Sequence, residues 1–360
     1  MFVLDSHCDT PSQILRLRDL SLDNDHAHVD FPKLVKGGVD GAFFALYIPA
    51  SLDEDSDAAW NYSKKLMDGV YDAIKENSDV AVLTTSVEQA LSNKNNGLFS
   101  VFLGLENGSP LGNSLDKLQA FHDAGVRYIT LCHSRNNLIC DSCAPSVKRW
   151  NGLSPFGRNL VCEMNRMGMM IDVSHASDDT FYDVLEYSER PVVATHSCCR
   201  NLAGHPRNMT DEMIRNLAAA GGVIQINFYP VFLDSSFAAV LSESGIMERG
   251  EAIEKEFIMD PSNPLKRQAW NAIQDELASL NRPSYKRIAD HIDHVVSLVG
   301  IDHVGLGSDF DGIEVTPTGM DDMSCFGNIF TEISNRGYSS EDIEKIAGGN
   351  LFRVMQQNKC

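Results

Sequence analysis

The chain has 360 residues, 43% of them hydrophobic and 22% charged, with a formal net charge of −20. This is the make-up of a soluble globular protein with a large core, and its acidity excludes nucleic acids and anionic membrane surfaces as partners, because the long-range field repels both. No apolar run approaches the ~18 residues needed to cross a bilayer, and "MFVLDSHCDT" turns polar at its fifth residue, so no secretory leader is expected. The nine cysteines are scattered and odd in number, as expected of free thiols in a reducing cytoplasm. Cys140 and Cys143 form a C-x-x-C, but no second pair stands at zinc-ribbon spacing, and they read as loop thiols.

Along the chain, strand-length apolar runs alternate with helical patterns. "FVLDSH" (2–7) and "GAFFALYI" (41–48) come first, then a helical stretch at 56–77 with apolar residues at three-to-four spacing. The run "FSVFLGLE" (99–106) precedes a helix at 114–125 that ends in glycine. "VRYITLCH" (126–133) leads to a helix at 154–168, opened by Ser-Pro and closed by Gly. "MMIDVSH" (169–175) is followed by a helix at 177–188 with a serine cap and early acids. "PVVATH" (191–196), a helix at 210–222, "GVIQINF" (222–228) and "HVGLGSD" (303–309) complete the set. Eight runs so continuously apolar suit parallel strands covered on both faces. The alternation predicts an α/β fold, a closed (β/α)8 TIM barrel. An open doubly wound sheet lacks support, since no G-x-G-x-x-G follows the first strand. Residues 229–283, with Pro230, Pro261, Pro264, Pro283 and "MERGEAIEKEF", exceed one barrel unit. They are expected to form a helical insertion between strands 7 and 8 that partly covers the site. No low-complexity linker divides the chain, so 1–360 reads as one catalytic domain.

In such a barrel, chemistry belongs at the C-terminal ends of the strands. Those ends carry His7 and Asp9, Glu106, His133, His175, His196 and Asp309. Successive strand residues alternate faces, so His7 and Asp9 are expected to point the same way and share one cation. Imidazole and carboxylate suit a borderline metal such as Zn²⁺. The expected centre has His7 and Asp9 on one ion, His175 and His196 on a second, and Glu106 between them. Its purpose would be a bridging water acidic enough to be hydroxide near neutral pH. His26, His28, His122, His291, His294 and His303 read as surface or packing residues.

The motifs "DSHCDTP", "GLEN", "LCHSRNN", "IDVSH", "ATHSCCRNLAGHPRN" and "VGLGSDFDG", in this order from residue 4 to about 353, resemble those of the membrane (renal) dipeptidase family of zinc peptidases. The resemblance implies a barrel of the metal-dependent amidohydrolase type and two zinc ions per chain. It implies hydrolysis of dipeptides, L-Xaa-D-Xaa among them, in a soluble bacterial-type member. It gives His7, Asp9, Glu106, His175 and His196 the places of the metal ligands. His133 takes that of the substrate-facing histidine, Arg207 that of the substrate-binding arginine, and Asp309 that of the acid/base aspartate. Asp311 shares the face of Asp309, and only the resemblance chooses between them. Tyr229 reads as a pocket wall. Two other readings stay open: a related hydrolase of another amide, an N-acyl amino acid or a lactone, and a non-catalytic zinc-binding scaffold. A homodimer is an open expectation for such barrels.

Overall fold

The continuous apolar runs pair as a parallel sheet. In the computed structural model, which describes residues 1–359, the strands are β1 (Leu4–Cys8), β2 (Gly41–Tyr47), β3 (Ala81–Leu83), β4 (Phe99–Glu106) and β5 (Val126–Thr130). They continue as β6 (Met170–Asp172), β7 (Val193–Ser197), β8 (Val223–Ile226) and β9 (Val304–Leu306). The order is β1-β2-β4-β5-β6-β7-β8-β9, parallel throughout. These are the eight expected strands. The additional β3 pairs only with β4, along Phe99–Val101, where β5 has not yet begun.

The barrel closes between its last and first strands. Asp309 N–H donates to His7 O (2.9 Å) and Asp9 N–H to Phe310 O (2.8 Å). The buried Asp5 carboxylate accepts from Ser308 N (2.7 Å) and Ser308 Oγ (2.6 Å). Burial pushes the Asp5 carboxyl up to about 7, against the pull of those hydrogen bonds.

Inside the barrel the two-residue strand period stacks layers. The floor is apolar: Phe43, Phe102, Tyr128, Met170, Val193 and Val223 form one cluster with Leu351, Phe352 and Met355 of the helix Asn350–Asn358. Phe43 and Phe102 stack at 4.8 Å between ring centroids, and Tyr128 lies 5.1 Å from Phe43. Two residues above Phe102 in β4 stands Gly104, where a Cβ would overlap the Tyr128 ring. Glycine there gives Tyr128 the room to point its hydroxyl upward. One further step along β4 reaches Glu106, so the polar layer rests directly on an aromatic one.

The helices outside obey their sequence signals. Ser154 Oγ accepts from Gly157 N (2.9 Å) at the start of Pro155–Met167, and Gly168 closes it with φ +81°. Ser177 and Thr210 cap Asp178–Tyr187 and Asp211–Ala219 in the same way. Between β8 and β9 the insertion forms the helices Pro230–Leu233, Ser235–Ser244, Ile246–Met259 and Pro264–Ala278 before the barrel helix Lys286–Val299. It carries a small core of its own, with Phe237, Leu241, Ile246, Ile273 and Leu277. Among the described residues no helix is long and apolar enough to cross a membrane.

Candidate metal centre and active site

Several strands end earlier than their apolar runs suggest. β5 stops at Thr130, β6 at Asp172 and β9 at Leu306. His133, His175 and Asp309 therefore stand on the loops just beyond. His175 (φ +67°) and Asp309 (φ +61°) occupy the left-handed region, which is costly for a residue with a Cβ and characteristic of functional loops. The Cys140/Cys143 loop supports one of them: Cys143 N–H donates to His175 O (2.9 Å), and both cysteines are free.

His7 and Asp9 meet by a different route from simple alternation. β1 ends at Cys8, and Asp9 is the N-cap residue of the helix Thr10–Leu15 with φ −92° and ψ 24°. The turn nonetheless brings Asp9 Oδ2 to 3.5 Å from His7 Nε2. Glu106, at the end of β4, divides its two oxygens. Oε2 lies 3.5 Å from His7 Nε2, whereas Oε1 lies 3.2 Å from His175 Nε2 and 3.4 Å from His196 Nε2. The Nε2 atoms of His175 and His196 are 3.0 Å apart. His133 Nε2 stands 4.0 Å from Glu106 Oε1, and Asp309 Oδ1 stands 4.0 Å from His7 Nε2. Three triads have donor atoms close enough to hold a cation: His7–Asp9–Glu106, His7–His196–Asp309 and Glu106–His133–His175.

The charge states follow from crowding. Burial pushes the Asp9 carboxyl well above the usual range, with repulsion from Glu106 and Asp309 against the pull of His7. Burial also lifts Asp309, to about 6, with Glu106 adding to the lift and His7, Asn227 and Arg207 opposing it. Burial works against the Glu106 carboxylate as well. There the charge of His7 and the imidazoles of His175, His196 and His7 close around it win, and hold it well below its ordinary value. Burial opposes charge on His7 too, yet Glu106 and Asp9 raise it well above the ordinary range. His175 and His196 go the other way. Burial lowers both, helped by Arg207 and His133 at the first and by His7 and Arg207 at the second. Neutral imidazoles are the form that ligates a metal.

A second layer sets the tautomers. Asp172 Oδ2 accepts from Thr130 Oγ1 and Thr195 Oγ1, each at 2.6 Å. Thr195 Oγ1, its proton committed, lies 2.8 Å from His196 Nδ1 and accepts from it, which leaves the Nε2 lone pair facing Glu106. The pairing of β7 with β8 shifts register between Ala194 and Ser197, which lets adjacent Thr195 and His196 serve one site. His7 Nδ1 meets Tyr128 Oη at 2.8 Å, so its Nε2 is likewise turned to the cluster.

The remaining expected residues separate by position. Asp311 turns away: it pairs with Arg18 (2.6 Å) and accepts from Thr10 Oγ1 (2.9 Å). Asp309 faces the cluster, and its Oδ2 accepts from Asn227 Nδ2 (2.8 Å). Arg207 is buried beside His196, donating to Ser197 Oγ and His196 O (both 2.7 Å), with its Nε lacking a partner. Tyr229 lines the cavity above the cluster, a space of about 810 Å³ that also touches Asp9, Glu106, His133, His175 and Asp309. Tyr128, Asp172, Thr195 and Asn227 escaped the sequence reading. Asp172 and Thr195 offer the signal of a polar residue one to three positions from an expected ligand, and Asn227 that of a polar residue near the end of its apolar run; Tyr128, inside its run, offers none.

A parallel barrel with carboxylates and imidazoles converging on one rim has the build of a metal-dependent hydrolase. Comparison with known proteins makes the class specific. The chain belongs to the family described as membrane dipeptidase (peptidase family M19), whose sequence profile matches residues 1–359. Dipeptidase verJ of Clonostachys rogersoniana is 33% identical over 337 residues, covering 91% of this chain and 75% of that one. Dipeptidase tcpJ of Claviceps purpurea is 31% identical over 336 residues, covering 92% and 69%. The solved structure of the probable dipeptidase PvdM from Pseudomonas aeruginosa matches with a TM-score of 0.84 at 26% identity, covering 100% of this chain and 96% of that one. A metallo peptidase from Rhodobacter sphaeroides, liganded with a phosphinate mimic of the dipeptide L-Ala-D-Ala, shares the fold with a TM-score of 0.79 at 23% identity, covering 99% of each. The family and the barrel are those expected from the motifs.

Proposed function

We propose that this chain is a zinc-dependent dipeptidase with a two-ion centre, acting in the cytoplasm on dipeptides that include L-Xaa-D-Xaa. The observation that carries the reading is the division of Glu106, one oxygen toward His7 and the other toward His175 and His196. The residues fit the metal. His7 Nε2 and Asp9 Oδ1 are buried without hydrogen-bond partners, which is costly unless something ligates them. Burial holds His175 and His196 neutral, and the Nε2 lone pair of His196 faces the shared carboxylate. His7 and Asp9 would hold one ion, His175 and His196 the other, with Glu106 between. Bound there, the ions supply Lewis-acid polarisation and a water of lowered pKa.

The protein's own groups do the rest. Arg207 pairs the substrate's terminal carboxylate through its planar fork. His133, on the cavity wall, donates to the oxygen on which charge develops. Asp309, oriented by Asn227, takes the proton from the attacking water and returns it to the leaving amine. Tyr229 bounds the pocket. The dipeptide mimic held by the Rhodobacter sphaeroides protein supports the substrate class, and the eight free cysteines of the described residues fit a reducing compartment.

The test is hydrolysis of a panel of L-L and L-D dipeptides, beside N-acyl amino acids and lactones, before and after chelation and zinc re-addition. Dipeptide cleavage lost to the chelator and restored by zinc is expected. Cleavage confined to the acyl amino acids or lactones would overturn the reading.

A further inference from the structure

Most of the cavity's negative charge is accounted for, but one carboxylate is not. Asp9 and Glu106 belong to the proposed metal centre, and Asp309 to proton transfer. Asp311 pairs with Arg18 at 2.6 Å, and Glu254 of the helix Ile246–Met259 pairs with Arg16 at 3.0 Å. Glu314 remains. It lines the same cavity as Tyr229, and among the described residues it forms no ion pair. Burial lifts its carboxyl above the ordinary range, with the Tyr229 hydroxyl opposing the lift and repulsion from Glu254 and Asp309 adding to it. Of the lysine and arginine side chains lining this cavity, Arg16 is paired with Glu254 and Lys65 is exposed to solvent and screened.

Glu314 also stands at the far end of a row of side chains that begins at Arg207. The Arg207 guanidinium lies over the Phe232 ring, 5.8 Å from its centroid. Phe232 meets Tyr229 edge to face at 5.0 Å, and Tyr229 and Glu314 line the cavity together. The row runs from cationic to anionic. A dipeptide with its carboxylate on Arg207 presents its amino-terminal half to the Glu314 end. A cavity of about 810 Å³ has room there for a long side chain. A half-buried carboxylate without a counter-ion is a stronger partner for a cation than the same group in water.

We propose that Glu314, beside Tyr229 on the cavity wall, is a specificity residue that selects dipeptides whose amino-terminal residue carries a long cationic side chain, lysine or arginine. The inference rests on the dipeptidase reading above and adds the substrate class to it. A neutral side chain of equal length would leave the carboxylate desolvated and unpaired, and so bind less well.

The experiment compares L-lysyl-alanine with L-norleucyl-alanine, with either enantiomer of alanine, on the zinc-loaded wild type and on Glu314→Gln. Glutamine keeps the shape and can still meet the Tyr229 hydroxyl. A charge-assisted contact predicts a kcat/KM ratio of about tenfold or more in favour of lysine, carried mainly by KM, and a fall toward unity in Glu314→Gln. Two results would overturn the proposal: both substrates cleaved equally by the wild type, or a preference that survives in Glu314→Gln. An equal loss on both substrates in the variant also overturns it, since the carboxylate would then serve the α-ammonium group. Absence of cleavage of every dipeptide would instead sink the dipeptidase reading. Calorimetry separates the two failures: L-lysine binding more tightly than L-norleucine, with the difference lost in Glu314→Gln, upholds the cation subsite without turnover.

Discussion

Acid should weaken this fold through one histidine outside the metal cluster. His291 lies on the helix Lys286–Val299, fully buried, and is satisfied only as a neutral ring. Its Nδ1 accepts from Cys199 N–H at 3.0 Å and its Nε2–H donates to Leu233 O at 3.1 Å. Protonation would set a second N–H against that of Cys199. Burial drives its pKa from 6.5 to about 4, with Arg287 and His294 adding and Leu233 O and Asp290 opposing. The unfolded chain binds its proton near 6.5 and the folded chain only near 4. Stability from this group is therefore complete above about pH 6.5, falls as pH drops through that value, and is exhausted below about 4. At about 1.4 kcal/mol for each pH unit, the difference comes to about 3 kcal/mol. The assay is urea unfolding from pH 7.5 to 4.5, on the wild type and on His291→Asn. Carboxylates titrate in the same window, so the quantity to read is the difference in slope. The variant should lose stability overall and lose its excess sensitivity between pH 6.5 and 4.5. Parallel curves would refute the argument.

Two substitutions at the centre test separate links. Asp309→Asn keeps the shape and the Asn227 neighbour but cannot carry a proton, so kcat should fall by about 10²-fold or more with bound metal retained by elemental analysis. Turnover near the wild type would remove Asp309 from proton transfer. Tyr128→Phe deletes the hydroxyl on His7 Nδ1 and should weaken metal retention about tenfold, read by chelator competition with the circular dichroism unchanged. Unaltered retention would show that Tyr128 does not orient His7.

The barrel was legible because its strands are buried on both faces and so read as unbroken apolar runs. β3, "AVL" at 81–83, was not, since three residues paired with one neighbour carry no comparable pattern. The polar residues at the strand ends were legible by type, and the structure brings His7, Asp9, Glu106, His175 and His196 together. How they converge was less visible. Asp9 arrives by a helix-capping turn, and His175 and Asp309 by left-handed backbone, features that local sequence does not announce. The supporting layer was hidden for a different reason. Nothing in "IDVSH" says that Asp172 binds two threonines on other strands, and nothing in "FLGLE" says that Gly104 is small for the sake of Tyr128.

The seam between β9 and β1 has a consequence for synthesis. His7 and Asp9 stand on one side of it and Asp309 on the other, and the Asp5–Ser308 latch joins positions 303 residues apart. His7 and Asp9 leave the ribosome before the rest of the centre, Glu106, His133, His175 and His196 follow from the middle strands, and Asp309 comes last. Until β9 has left the exit tunnel, the nascent chain exposes an unpaired edge of β1 and an aromatic floor with no closing wall, the condition that holdase chaperones recognise. A circular permutant that joins the termini and opens the exposed 146–149 loop would place both sides of the seam close together in translation order. It should close its barrel earlier and depend less on chaperones.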